Sequence, residues 1–287
     1  MPIAAVALLI AAAFGHATWN YLAKGARNDA AFTLAFVAAS VLIYLPVAIV
    51  AWVVERPDLS WQGLTFIGVS AGIHVAYYIL LTQGYRAGDL SVVYPLARGT
   101  GPSLAVIGAI LIYSERPSAL ALGGTLLVVA GIIVVSWAPR LRHDNAVAVS
   151  VGFALATGAV IAAYTLWDKK GVGYTSPVIY AYGIDLVRIV IFAPLVLTTV
   201  KGREALAYAW REERRAVLGI GLLEPGAYMM VLAALTMAPV SYVAPAREMS
   251  ILIGAAMGAH LLGEKDGPRR LAGAAAIVAG VFALALG

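Results

Sequence analysis

Ten apolar stretches, each roughly 18–24 residues long, follow one another along the sequence with short charged connections between them. An α-helix of that length crosses the hydrocarbon core of a lipid bilayer. We place the stretches at 3–23, 32–54, 62–84, 91–113, 119–137, 147–168, 176–199, 216–238, 241–262 and 269–286. The sequence therefore predicts an all-α membrane protein with ten transmembrane helices, embedded in the lipid bilayer, and no soluble domain.

The composition excludes several classes of protein. Hydrophobic residues make up 62% of the 287 residues and charged residues only 12%, whereas roughly a quarter of a soluble domain is charged. The chain has no cysteine, so disulfides and thiolate metal sites are excluded. Its basic residues lie at the ends of the apolar stretches, and metalloprotease, P-loop and nucleophile-elbow motifs are missing. We therefore expect neither an enzyme nor a nucleic-acid-binding protein, and no metal or other cofactor.

Two segments need a separate interpretation. The stretch at 3–23 has no basic region before its apolar run, which favours a first membrane helix over a signal peptide. The connection at 201–216, KGREALAYAWREERRA, is longer than the others. It is expected to be either a short amphipathic helix on the membrane surface or a solvated run of charges.

The sequence repeats itself at an offset of 146–151 residues, which indicates two related halves. The matching pairs are NYLAKG (20–25) with LWDKKG (166–171), HVAYYILL (74–81) with PGAYMMVL (225–232), SVVYPLAR (91–98) with SYVAPAR (241–247), and Glu115 with Glu264. We divide the chain into residues 1–143 and 144–287, with five helices in each half.

An odd number of helices per half has a topological consequence. The second half must enter the membrane from the opposite side, which gives two inverted repeats around a central cavity, a construction typical of secondary transporters. Lysine and arginine are concentrated in the connections after odd-numbered helices. The positive-inside rule places those connections in the cytoplasm and both termini outside.

Two arginines at matching places of the repeat, Arg98 and Arg247, lie inside predicted spans, where a charge is costly and indicates function. Arg98 is expected to bind a carboxylate or phosphate of the substrate, or to form a gate ion pair, or else to reach the interface along its own stem. Arg247 has the adjacent Glu248 as a partner. Because neighbours on a helix point about 100° apart, the two are not expected to enter one pocket equally, and an inter-helix ion pair is an equal alternative.

Further ionisable residues lie in other predicted spans. His74 is a candidate for hydrogen bonding to the substrate or for proton coupling, and a neutral hydrogen bond between helices is the alternative. Glu224 lies one position from the repeat equivalent of His74, precedes the helix-breaking Pro225, and is the second candidate for protonation. Asp185 and Arg188 are spaced i, i+3, so we expect them to neutralise each other in a structural pair.

Aromatic residues within the spans form a second theme. Some belong to the interfacial aromatic belt, but a tyrosine in mid-membrane needs a hydrogen-bond partner or a cavity. A pocket with aromatic walls and a few charged anchors suits a small zwitterion with an apolar or aromatic side chain. The aromatic residues that we place in the substrate site are Trp19, Tyr77, Tyr78, Tyr94, Trp167 and Tyr228.

Small and helix-breaking residues suggest how the helices pack and move. Pro95, Pro225 and Pro245 lie within or next to predicted spans and are expected to act as hinges. The pairs of glycines in GVSAG (68–72) and GAAMG (254–258) are expected to allow close helix packing.

Several stretches carry a resemblance over essentially the whole chain. They are HATWNYLAKG, YRAGDLSVVYPLARGTGP, SERP and SYVAPAREMSILIGAAMGAHLLGEK, of which VYPLARG and LLGEK are the most specific. Together they resemble the EamA branch of the drug/metabolite transporter superfamily. The resemblance implies a basket of ten helices in which helices 1, 3, 4, 6, 8 and 9 line the cavity. Carried onto this sequence, the lining includes Trp19, His74, Tyr78, Tyr94, Arg98, Trp167, Glu224 and Arg247.

Bacterial members with these features include amino-acid and metabolite exporters. We therefore predict a monomer in the bacterial inner membrane that exports a small-molecule substrate by alternating access, with aromatic or large apolar amino acids favoured. Transport down the gradient and proton-coupled antiport both stay open. The alternative substrates are phosphorylated, such as sugar phosphates or nucleotide sugars, which would need several cations at one end of the pocket. An intramembrane enzyme is a further alternative, for which the sequence has no catalytic constellation.

Overall fold

The structure, a computed structural model, is helical, with no strand, throughout the residues that it describes. These are residues 1–23, 26–27, 29–57, 60–87, 90–136, 145–253 and 267–287. Within them, the backbone alone is described at 85, 90–92, 94–95, 135–136, 145–147 and 267–271.

The helices of the described ranges follow the predicted apolar stretches. They are α1 (Ile3–Ala23), α2 (Ala30–Glu55), α3 (Trp61–Ala87), α4 (Leu90–Tyr113), α5 (Ala119–Ser136), α6 (Asn145–Gly171), α7 (Pro177–Leu197), α8 (Val200–Glu212), α9 (Arg214–Met237), α10 (Val240–Ala246) and α11 (Gly267–Leu286). Seven of them, α1 to α4, α6, α7 and α9, contain segments that are long and apolar enough to cross a membrane. The apolar parts of α5 and α11 are shorter, so the all-α prediction is confirmed and the count of ten spans stays a prediction.

The predicted ninth span is interrupted. Helix α10 ends at Ala246, Arg247 and Glu248 form a turn, and residues 249–253 are helical again. At this turn the amide of Glu248 donates to the carbonyl of Pro245, three residues back rather than four, at 3.1 Å. The remainder of the predicted span, with its GAAMG glycines, lies outside the described residues.

The long connection after α7 is largely a helix, as the first of the two alternatives predicted, and its position on the membrane surface stays a prediction. Helix α8 begins at a Thr199 cap, whose hydroxyl accepts a hydrogen bond from the amide of Gly202 at 3.0 Å. Its apolar side, with Ala209 and Trp210, packs against Phe32 and other residues of α2. The charged residues of α8 lie on its exposed side.

The two halves interlock. Helix α1 packs against α9, α3 against α6, α2 against α7, α4 against α10, and α5 against α11. In every pair one helix comes from each half. The pairs α1–α9 and α3–α6 are equivalent contacts, because each joins the first helix of one half to the matching later helix of the other half. Hydrophobic contacts that hold the protein together are therefore made largely between the halves rather than within them.

Contacts between helix ends fix which ends lie together. The amino group of Met1 donates to the carbonyl of Ala285 at 2.9 Å, so α1 begins where α11 ends. The amide of Arg27 donates to Glu213 Oε1 at 3.0 Å, so α9 begins where α1 ends. The hydroxyl of Tyr113 donates to the carbonyl of Leu166, which places the end of α4 beside the end of α6.

Close packing of small residues occurs, but not at the one predicted position that the structure describes. A Cβ built on Gly68 or on Gly72 has no neighbour within 4 Å among the described residues, so the prediction for GVSAG is wrong. A Cβ built on Gly124 of α5 would lie 2.7 Å from the carbonyl oxygen of Gly280 on α11. The close approach therefore joins the last helix of each half.

Candidate functional site

An aromatic cluster joins α3, α6 and α9 and consists of His74, Tyr77, Tyr164 and Tyr228. His74 stacks on Tyr164 with ring centroids 4.4 Å apart and meets the ring of Tyr228 edge-on at 5.2 Å. Tyr77 completes the cluster with its ring edge-on to Tyr164 at 6.1 Å. Since His74 and Tyr77 are three residues apart on α3, both rings reach the same neighbour on α6.

A cationic cluster of Arg98, Arg247 and Glu248 contacts the aromatic cluster through Arg247. Arg98 Nε on α4 lies 2.7 Å from Glu248 Oε2, and its Nη2 donates to the Ser250 hydroxyl at 3.1 Å. Arg247 Nε lies 3.6 Å from the other oxygen of Glu248. The Glu248 side chain is 0% exposed, so a single buried carboxylate lies between two guanidinium groups from opposite halves.

The turn after α10 explains why Arg247 and Glu248 reach the same cluster, although the inter-helix ion pair predicted as the equal alternative is also present, between Glu248 and Arg98. The 100° separation applies to neighbours on a continuous helix, and here the helix is interrupted at these two residues. Both side chains therefore enter one buried cluster. For Arg98, the structure contains the ion pair that was among the predicted alternatives, and its side chain is only 15% exposed.

Arg247 connects the cationic cluster to the aromatic cluster. Its guanidinium carbon lies 5.6 Å from the centroid of the Tyr164 ring, a favourable cation–π distance. The side chain is only 4% exposed, and its Nε and Nη2 have no hydrogen-bond acceptor in the part of the chain that the structure describes. Guanidinium donors that are buried in this way favour an anionic ligand.

An acidic cluster consists of Ser40, Asp185, Arg188 and Glu224. Arg188 Nη1 bonds to Asp185 Oδ1 at 2.9 Å, as the i, i+3 spacing predicted. The same nitrogen lies 3.3 Å from Glu224 Oε1, and the Ser40 hydroxyl donates to Asp185 Oδ2 at 2.5 Å. One guanidinium is therefore shared by two carboxylates, which the sequence did not indicate.

The acidic cluster and the aromatic cluster share a small cavity. It is lined by Asp185, Arg188 and Glu224, by His74 and Tyr228, and by Ala181, Ile184 and Pro225. Its volume of about 10 Å³ is close to what a water molecule requires. His74 faces the cavity while its Nδ1 lies 2.9 Å from the carbonyl oxygen of Ser70.

Comparison with known proteins agrees with this architecture. Residues 3–137 and residues 149–286 each match the EamA-like transporter family. The chain belongs to the EamA-like transporter family. It is thus a multi-pass membrane transporter of the drug/metabolite transporter superfamily, and the resemblance seen in the sequence is confirmed.

A solved structure supports the fold independently. The crystal structure of another protein superposes on this chain with a TM-score of 0.76 at 14% sequence identity, covering 100% of this chain and 98% of that chain. At that identity the similarity concerns the fold alone. Among curated proteins, none matches this sequence.

Two residues of this EamA-like site were missed by the sequence analysis. Asp168 is fully buried on α6, where it accepts hydrogen bonds from the hydroxyls of Tyr180, at 2.8 Å, and of Tyr228. It stands in LWDKKG at the very end of a predicted span, so its charge resembled an ordinary helix end. Tyr164, the centre of the aromatic cluster, resembled the other tyrosines of the spans.

Other predicted site residues lie outside the three clusters. Trp19 donates from Nε1 to His16 Nδ1 at 2.9 Å, one turn away on α1. Tyr78 packs against Phe192 of α7, with ring centroids 6.3 Å apart. Pro245 is buried within α10, just before the turn.

Trp167, Lys169 and Lys170 help to line a separate groove of about 1190 Å³ at the ends of α4, α6 and α9. The indole of Trp167 donates to the carbonyl of Phe66 at 2.9 Å. In the same groove Lys169 donates to the carbonyls of Leu235 and Ala238 at the end of α9. For Tyr94 and Pro95 the structure describes only their backbone in α4.

Proposed function

We propose that this EamA-like transporter exports amino acids with aromatic or large apolar side chains across the bacterial inner membrane by alternating access. The observation that carries the proposal is that the aromatic cluster contacts both charged clusters. Arg247 of the cationic cluster, which has two guanidiniums and one carboxylate, lies over the ring of Tyr164. His74 and Tyr228 line one cavity with the acidic cluster, which has two carboxylates and one guanidinium.

This arrangement of charged and aromatic clusters fits a zwitterionic substrate. A substrate carboxylate would take the unused donors of Arg247, and a substrate ammonium would be drawn to Glu224 beside the small cavity. The side chain of the substrate would pack against Tyr164, Tyr228 and His74, whose rings favour flat apolar groups. Each end of the substrate would thus find a charge of opposite sign, a buried one at Arg247 and a partly buried one at Glu224.

Two inverted halves are proposed to alternate around this site. The end contacts support the inversion: α1 begins beside the end of α11, and α6 ends beside the end of α4. With alternating crossings, these contacts require the first helix of each half to run in opposite directions. The pairing of helices between halves supports a site at their interface.

The phosphorylated-substrate alternative is less well supported. Arg98 and Arg247 do converge, but Glu248 offsets one of their two charges. Lys169 is held by carbonyl groups at the end of α9 rather than by the cationic cluster. A phosphate dianion needs a larger surplus of positive charge than this arrangement offers.

The test is uptake of labelled phenylalanine into liposomes that contain the purified protein, with and without a pH gradient. Competing amino acids, sugar phosphates and nucleotide sugars define the substrate class. We expect saturable uptake that large apolar amino acids inhibit and sugar phosphates do not. Uptake that depends on the pH gradient would indicate proton-coupled antiport, with His74 and Glu224 as the candidate proton-binding residues. Folded protein that moves no amino acid but exchanges a sugar phosphate would overturn the proposal.

A further inference from the structure

We propose that Arg98 and Arg247 form the subsite for the substrate carboxylate and that Glu248 occupies this subsite when no substrate is bound. The inference rests on the proposed function. Glu248 is then an internal competitor of the substrate. The substrate must displace Glu248 before both arginines can bind the substrate carboxylate.

The position of Glu248 is that of a bound carboxylate. Its oxygens face the two arginines from different sides, Oε2 at 2.7 Å from Arg98 Nε and Oε1 at 3.6 Å from Arg247 Nε. The side chain is wholly buried and starts from the turn after α10. Any free carboxylate in the same place would meet the same two guanidiniums.

The contact is incompletely made, which allows exchange. Neither oxygen of Glu248 has a well-aligned hydrogen bond, and Nε and Nη2 of Arg247 have no acceptor, within the described residues. A guanidinium holds a carboxylate best with two parallel hydrogen bonds. The backbone of Glu248 prevents that geometry for Arg247, whereas a mobile substrate can adopt it.

Exchange of one carboxylate for another leaves the charge of the cluster unchanged. This matters because removal of Glu248 alone would leave two guanidiniums buried without a counter-charge, which is strongly unfavourable. A substrate that lacks a carboxylate cannot displace Glu248 without leaving the two guanidiniums uncompensated. Glu248 therefore acts as a specificity-determining residue that admits carboxylates.

The exchange also affects the contact between the halves. Arg98 belongs to α4 of the first half and Glu248 to the second, so displacement of Glu248 releases an ion pair that joins them. The interruption of the helix at Arg247 and Glu248, next to Pro245, provides a segment whose backbone can rotate. Substrate binding at this subsite would thus weaken the contact between the two halves. The size of this effect is set by how much more tightly the arginines bind the substrate carboxylate than the carboxylate of Glu248.

The experiment compares two ligands on three proteins in lipid nanodiscs, with calorimetry as the readout. The ligands are phenylalanine and phenethylamine, the same molecule without its carboxylate. The proteins are the wild type, Glu248→Gln and the control Glu204→Gln, an exposed glutamate on α8. We expect Glu248→Gln to tighten phenylalanine binding about tenfold, within the usual range of coupling between sites, and to leave phenethylamine unchanged. Glu204→Gln should change neither.

A second variant decides the matter if Glu248→Gln does not fold. Glu248→Asp keeps the charge on a shorter stem, so it competes less well and should also tighten phenylalanine selectively. Unchanged phenylalanine binding in the folded variants, with binding by the wild type, would overturn the role of Glu248 and leave the proposed function standing. Absence of phenylalanine binding by the folded wild type would instead overturn the proposed function, and this inference with it.

Discussion

Arg98 and Glu248 form a buried ion pair between the two halves of the chain, with Nε 2.7 Å from Oε2. One partner lies in α4 and the other in the turn after α10, at positions that the repeat makes nearly equivalent. Buried pairs of this kind contribute little as pairs, but each partner is costly without the other. The stability of the protein is therefore expected to respond to the balance of the pair rather than to either residue.

Replacing Arg98 alone tests that balance. We expect Arg98→Gln to lower the free energy of unfolding by about 3–5 kcal/mol, because Glu248 then keeps only the more distant Arg247. The double variant Arg98→Gln/Glu248→Gln should recover little of the loss, because Arg247 is then buried without a counter-charge. Thermal unfolding in detergent measures both. A double variant much more stable than Arg98→Gln would contradict the expectation.

The hydroxyl groups of the aromatic cluster are expected to differ in importance. Tyr228 donates to the buried carboxylate of Asp168, whereas the hydroxyl of Tyr164 has no hydrogen bond within the described residues. Tyr228→Phe should therefore destabilise the protein by about 1–3 kcal/mol, and Tyr164→Phe by much less. Both variants keep the ring, so both should retain the packing around His74. Equal melting temperatures for the two would show that the hydrogen bond to Asp168 contributes nothing.

The acidic cluster can be probed from the ammonium end of the substrate. Glu224→Gln leaves Arg188 paired with Asp185, so we expect a folded protein. Its affinity for phenylalanine should fall at least about tenfold, because a charge partner has been removed. Inhibition by 3-phenylpropionate, which lacks the ammonium group, should be unaffected. Competition assays on labelled uptake provide the affinity for each ligand. An equal loss of affinity for both ligands would show that Glu224 does not act through the ammonium group of the substrate.

Neighbouring glycines on α5 provide a matched test of helix packing. A Cβ on Gly124 would meet the carbonyl of Gly280 at 2.7 Å, whereas a Cβ on Gly123 has no neighbour within 4 Å. Gly124→Ala should therefore cost about 1–3 kcal/mol of stability through overpacking. Gly123→Ala should be neutral or stabilising by up to about 1 kcal/mol, since alanine favours a helix. Similar unfolding temperatures for the two variants would argue against the close approach of α5 and α11.

The helices were predictable because a membrane span is a local property of the sequence. The Asp185–Arg188 pair followed in the same way from spacing on one helix. The approach of Glu224 to Arg188 did not, since it depends on how α7 and α9 pack. The pairing of Arg98 with Glu248 depends, in addition, on a turn that interrupts an otherwise apolar stretch.

The hidden role of Asp168 has a different cause. A carboxylate next to two lysines at the end of an apolar run is typical of a helix entering water. Only the tertiary arrangement brings the hydroxyls of Tyr180 and Tyr228 to it. A charge near a predicted boundary therefore cannot be assigned to solvent from the sequence alone.

The pairing of helices across the halves determines what a fragment of this protein would be. Either half on its own would leave uncovered the faces that now pack α1 on α9 and α3 on α6. It would behave like one subunit of a heterodimer without its partner subunit. Residues 1–143 and 144–287, expressed together as two polypeptides, should assemble into the complete transporter, and either one expressed alone should be cleared by membrane proteases.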